Sequence, residues 1–169
     1  MTMRAQLKVE LRDRDGALLA TRAAHNTVLR TGGRLIADLF SGGGAPITHM
    51  AVGTSDADPT SVAVTALGND DGTGQPGITG DTATEIPSEA FEVDVDEPHN
   101  RVLVKVRATL ADAAGVGTLR EAALMSRQNG NDVLYNRVVF PPITKGNDHD
   151  LTLFWEIEFP FGDLQWLAR

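Results

Sequence analysis

Residues 151–159 carry the feature that most limits this chain. Leu151, Leu153, Trp155, Ile157 and Phe159 occupy every second position, with Thr152, Phe154, Glu156 and Glu158 between them. Successive side chains of a strand point to opposite faces, so this spacing makes one apolar side and one largely polar side, whereas a helix repeats its apolar positions every three or four residues. The same period of two runs through Ala5, Leu7, Val9 and Leu11, with Gln6, Lys8 and Glu10 between them. Phe91, Val93 and Val95 alternate with Glu92, Asp94 and Asp96, and Val102, Val104 and Val106 with Leu103, Lys105 and Arg107.

The segments between these runs hold turn residues. Asp13-Arg14-Asp15-Gly16 predicts a tight turn after the first strand, with residues 17–24 returning as its partner. Glu97 to Asn100 predicts a second hairpin, whose acidic strand lies beside a basic one, an arrangement that cross-strand pairing favours. Further strands are expected at 47–53, 118–126 and 133–140, with Gln128 to Asp132 as a turn. Pro141-Pro142 is expected to keep the preceding strand from continuing as a central one, because proline cannot donate to a ladder.

One stretch has helical spacing. In residues 31–41, Leu35, Ile36, Leu39 and Phe40 share a face, Thr31 is placed as N-cap, and Gly42 to Gly44 as terminator. Seven or eight short strands and a single helix predict a mainly β fold: one β-sandwich or jelly-roll-like domain over residues 1–169. No internal repeat of fixed period is present.

From residue 54 to 87 the periodicity fades into Asp, Thr, Gly and Pro. Loops of such length inside a compact domain are usually functional arms or disordered. This stretch is expected to be an ordered arm held by a neighbouring subunit. Its candidate interface residues are Asp56, Asp58, Pro59, Leu67, Ile78 and Ile86. Residues 161–169 are apolar for a chain end, and Phe161, Leu164, Trp166 and Leu167 are further candidates for packing on the domain itself or docking on another subunit.

Charge and composition narrow the function. The net charge of -8, without a cluster of Lys or Arg, disfavours nucleic acid and anionic lipid as partners. No cysteine is present, which removes disulfides and thiolate metal sites. The first residues have no charged segment followed by an apolar run, and no stretch is apolar enough to span a bilayer, so synthesis in the cytoplasm without a signal peptide is expected.

The catalytic patterns are weak. Gly72-Thr-Gly-Gln-Pro-Gly77 has the spacing of a dinucleotide fingerprint but follows two aspartates rather than a strand and leads into no helix. Asp13 to Gly16 lacks the remaining ligands of a calcium loop, and Asp70-Asp71 or Asp148-His149-Asp150 would need ligands from elsewhere to hold a cation. His25, His49, His99 and His149 share no metal-binding spacing. Glu121, in the apolar run 119–125, is expected to face Arg120 or Arg137 across a strand or point to solvent, with a buried acid as the alternative. No catalytic, cofactor-binding or metal residue is assigned, and the chain is expected not to be an enzyme.

Six segments, in order, carry a resemblance. They are Asn26-Thr-Val-Leu-Arg-Thr-Gly-Gly-Arg-Leu-Ile-Ala-Asp-Leu-Phe40, Ile47-Thr-His-Met-Ala-Val-Gly-Thr54, Thr65-Ala-Leu-Gly68, Thr118-Leu-Arg-Glu-Ala-Ala-Leu124, Arg137-Val-Val-Phe-Pro-Pro-Ile-Thr-Lys145 and Leu151-Thr-Leu-Phe-Trp-Glu-Ile157. Together they resemble small structural proteins encoded among the tail and baseplate genes of tailed bacteriophages and related prophages. The resemblance implies a β-rich virion component without enzymatic activity, often linked to tail fibres, and carries over no catalytic residue. This sequence has no fibre-like repeat, so tail, baseplate, collar, fibre attachment and capsid decoration all stay open. Expected partners are copies of itself, as a homo-oligomer, and neighbouring virion proteins. A carbohydrate-binding β-sandwich is the alternative from another class, with Trp155, Trp166 and Tyr135 as the aromatics on offer and Trp155 in the apolar phase of its strand.

Overall fold

The computed structural model describes residues 5–162. The chain runs through β1 (Ala5–Arg12), β2 (Leu18–His25), β3 (Thr27–Val28), helix α1 (Arg30–Phe40), β4 (His49–Gly53), β5 (Ile78–Thr79), β6 (Ala83–Glu85) and β7 (Phe91–Asp96). It continues through β8 (Arg101–Leu110), β9 (Val116–Gln128), β10 (Asn131–Leu134), β11 (Asn136–Lys145) and β12 (Asp150–Pro160). The strands form two antiparallel sheets. The first has the order β2-β1-β12-β8-β7; the second has β3-β11-β9-β4-β6, with β5 and β10 also paired to β9. Among the described residues the architecture is β-sandwich-like with one α-helix, the mainly β fold expected from the alternating segments.

The core is the apolar phase of the period-two segments. Leu7, Val9 and Leu11 of β1, Val106 and Leu110 of β8, and Leu151, Leu153, Trp155 and Ile157 of β12 meet Met50 and Val52 of β4, Leu119, Ala122 and Leu124 of β9, and Val138 of β11. Trp155 is buried among them, which withdraws it from any role as an exposed stacking face. The predicted turn after β1 forms as expected: the Asp13 carboxylate accepts the Asp15 and Ala17 amides, and Gly16 takes a positive φ of 80°. In the second hairpin Lys105 donates to Asp94 and Arg101 to Asp96 and Glu158, so the acidic and basic strands pair as anticipated.

β11 runs on through Pro141-Pro142, but beyond Arg137 it is paired with β9 alone, so it does not continue as a central strand, as expected. The ladder to β9 slips between Val139 and Ile143, which places both prolines in a bulge where no N–H is needed, and their carbonyls accept from the Arg22 guanidinium. The helix begins at Arg30 with Leu29, not Thr31, in the cap position. The Thr31 hydroxyl donates instead to the Leu134 carbonyl at 2.7 Å, and the Leu29 amide to the Tyr135 carbonyl at 3.0 Å.

That docking also splits the strand expected at 133–140. β10 and β11 are separated at Tyr135, whose carbonyl faces the first turn of α1 so closely that a Cβ at Gly32 would overlap it. The terminator is as predicted, with the Gly43 and Gly44 amides donating to the Asp38 carbonyl.

Candidate interaction surface

The side of the second sheet that faces away from the sandwich core is also buried. Glu121, Ala123 and Met125 of β9 alternate with the core residues Ala122 and Leu124 and so point outward. Ala51, Ala123, Met125 and Leu134 form a second apolar cluster there with Leu29, and Val64 and Leu67 of the arm pack onto it. Residues 54–77 therefore form a third layer on their own domain.

An ion pair holds that layer in place. The Arg137 Nε donates to Glu121 Oε2 at 2.5 Å, and their side chains are only 2% and 1% exposed. A buried charge pair is tolerable only when its remaining polar atoms are also satisfied. The arm supplies those partners. Glu121 Oε1 accepts the Gly68 amide at 2.6 Å and the Ser55 amide at 3.3 Å. Arg137 donates through one terminal nitrogen to the Ala57 and Asp58 carbonyls, and through the other to the Ser55 carbonyl.

Local sequence makes room for this. A Cβ at Gly53 would strike the Glu121 carboxylate and the Gly68 carbonyl, so the end of β4 must lack a side chain. Further along, the Thr54 amide donates to the Gly68 carbonyl, the Asp70 amide to the Thr54 hydroxyl and the Ile78 amide to the Asn69 side chain. The Asp70 and Asp71 carboxylates accept amides of their own glycine-rich loop, which passes into the short strand β5 and not into a helix. Among the described residues no group of three or more His, Asp or Glu side chains is arranged to hold a metal ion.

The expected interface residues separate by position. Ile78 and Ile86 are buried in the sandwich core, which corrects their assignment: β5 and the segment after β6 turn them inward. Leu67 is half-buried against the second apolar cluster. Within the chain, Glu121 and Arg137 anchor the arm at Ser55, Ala57, Asp58 and Gly68.

Asp56, Asp58 and Pro59 remain exposed at the arm's outer bend. Asp58 is held below the usual carboxylate range by the Thr60 hydroxyl and amide, and the Pro59 carbonyl accepts the Thr27 hydroxyl at 2.9 Å. Phe161 is partly exposed after β12. Leu164, Trp166 and Leu167 lie outside the described residues.

Other exposed apolar groups were not singled out by the sequence. Leu35 of α1 is buried and Ile36 packs on the core, but Leu39 is 42% and Phe40 92% exposed at the end of the helix. Leu18 and Leu19 of β2 and Val93 and Val95 of β7 are also open to solvent. Helical spacing places Leu39 in line with Leu35 and Phe40 in line with Ile36, one turn further on, yet Leu39 and Phe40 stand open where Leu35 and Ile36 are covered.

Comparison of the chain with family models, with curated proteins and with solved structures gives no match.

Proposed function

We propose that this chain is a non-enzymatic structural subunit of a tailed-phage virion or a phage-tail-like particle, acting by protein–protein assembly in the tail, baseplate, collar or fibre attachment. The observation that carries this reading is the end of α1. Phe40 stands almost wholly in water beside Leu39, on a helix whose first turn is locked to the Tyr135 and Leu134 carbonyls. Aromatic side chains fixed on a rigid element are the usual anchors of protein interfaces. The order of the six segments that resemble tail and baseplate proteins supports the same assignment. The partners are copies of this chain and neighbouring virion proteins, and the product of assembly is a virion component made in the host cytoplasm.

The test is incorporation. Particles from cells producing the chain are expected to contain it at fixed stoichiometry, and Phe40→Ser chains are expected to be depleted from particles while remaining folded. A chain found only in the free pool would sink the proposal. Separating heads from tails before the measurement distinguishes the closest alternative, a capsid decoration protein.

A carbohydrate-binding reading has one observation in its favour. The outer face of the first sheet carries a groove around Phe154, lined by Lys8, Glu10, Arg107 and Glu156, with the Lys8 ammonium 6.0 Å from the ring centroid. Saturable binding on a glycan array, lost in Phe154→Ala, would favour it over assembly.

A further inference from the structure

The first sheet carries an apolar overhang at the end where β7 turns into β8. Residues directly opposite each other in a ladder share a face. Val93 lies opposite Val104, which lies opposite Ile157; Val95 lies opposite Val102, which lies opposite Phe159. Ile157 belongs to the core, so both rows are on the side that faces the second sheet. Yet Val93 is 63% and Val95 60% exposed, and β7 is the outermost strand of its sheet. The rows extend past what the second sheet covers.

The chain leaves β12 beside this overhang. The Phe161 amide donates to the Asn100 carbonyl at 2.9 Å, which pins the exit to the turn between β7 and β8. Residues 163–169 follow and include Leu164, Trp166 and Leu167. An extended segment of that length reaches about 23 Å, whereas Val95 and Val93 lie only about 7 Å apart along their strand. A tether this short holds a segment at roughly millimolar effective concentration, well above that of a second copy in dilute solution. Pairing of two β7 strands antiparallel across a twofold axis is opposed by charge, since Glu92, Asp94 and Asp96 of the two copies would meet.

We propose that the overhang formed by Val93, Val95, Val102, Val104 and Phe159 is the docking site for the chain's own segment 163–169, with Leu164, Trp166 and Leu167 as the inserted groups. The site is separate from the end of α1 and does not depend on the assembly reading.

Tryptophan fluorescence tests it on the full chain. Trp166 is one of two tryptophans and Trp155 is buried, so the difference between the chain and Trp166→Phe isolates Trp166, while the remaining Trp155 emission reports that each variant is folded. Trp166 emission is expected to be blue-shifted and quenched by acrylamide several-fold less than in the free peptide 163–169, with no change on dilution. Val93→Ser combined with Val95→Ser, at positions already exposed, is expected to return it to the peptide's behaviour. Solvent-like emission in the unaltered chain, or indifference to the Val93 and Val95 changes, would overturn the proposal. Protection that disappears on dilution together with a shift to monomer in sedimentation would also overturn it, and would assign the segment to a second copy.

Discussion

The Glu121 carboxylate on β9 and the Arg137 guanidinium on β11 are paired on the outer side of the second sheet, and residues 54–77 are folded over the pair. Removing one partner leaves the other as a buried charge without compensation. Glu121→Ala and Arg137→Ala are each expected to lower the unfolding free energy by about 3 to 5 kcal/mol, read from urea denaturation. Amide exchange should rise at Ser55 and Gly68, which donate to Glu121. The double variant Glu121→Leu with Arg137→Met is expected to be more stable than either alanine variant. A loss below about 1 kcal/mol in both single variants would place the pair in water and not under the arm.

Gly32 faces the Tyr135 carbonyl within the space a methyl group would need. Gly32→Ala is therefore expected to push the first turn of α1 off the break between β10 and β11, at a cost of about 3 kcal/mol despite alanine's better helix propensity. Gly33, one residue on, has open space around its missing Cβ. Gly33→Ala should be neutral or stabilising, and equal thermal shifts in the two variants would contradict the docking described.

Phe40 is in water in the free chain, so its loss should matter only on assembly. Phe40→Ser is expected to change stability by less than about 0.5 kcal/mol, while Leu35→Ala, earlier in the helix and buried, is expected to cost about 2 to 5 kcal/mol. Comparing the two in thermal melts separates the anchored part of α1 from its exposed end.

The Asp96 carboxyl is held below the ordinary aspartate range by His99 and then by Arg101. A carboxyl with a lowered folded pKa binds fewer protons folded than unfolded, so it contributes stability above its unfolded pKa and loses it as pH falls through the folded value. The stability difference between the chain and Asp96→Asn is expected to shrink as pH is lowered from about 5 to about 2. A difference that stays constant over that range would show that the interaction does not depend on the charge.

How much of this was legible in advance depended on whether the signal was local. The alternation of Leu151 through Phe159 determined a strand, its buried face and the burial of Trp155, because the two-residue period is a property of the backbone itself. The Asp13 to Gly16 turn and the acidic and basic strands of the second hairpin were readable for the same reason, and Arg137 was already one of two partners expected for Glu121. Tertiary structure alone decided what lies across from each face. It turned Ile78 and Ile86 inward, gave the arm to its own domain and carried β11 through two prolines by slipping its register. It also left Leu39 and Phe40 uncovered one turn beyond Leu35 and Ile36, which pack on the core. Periodicity states that a side is apolar, whereas the length and reach of the opposing layer settle whether that side is covered, and those are set by residues far away in the chain.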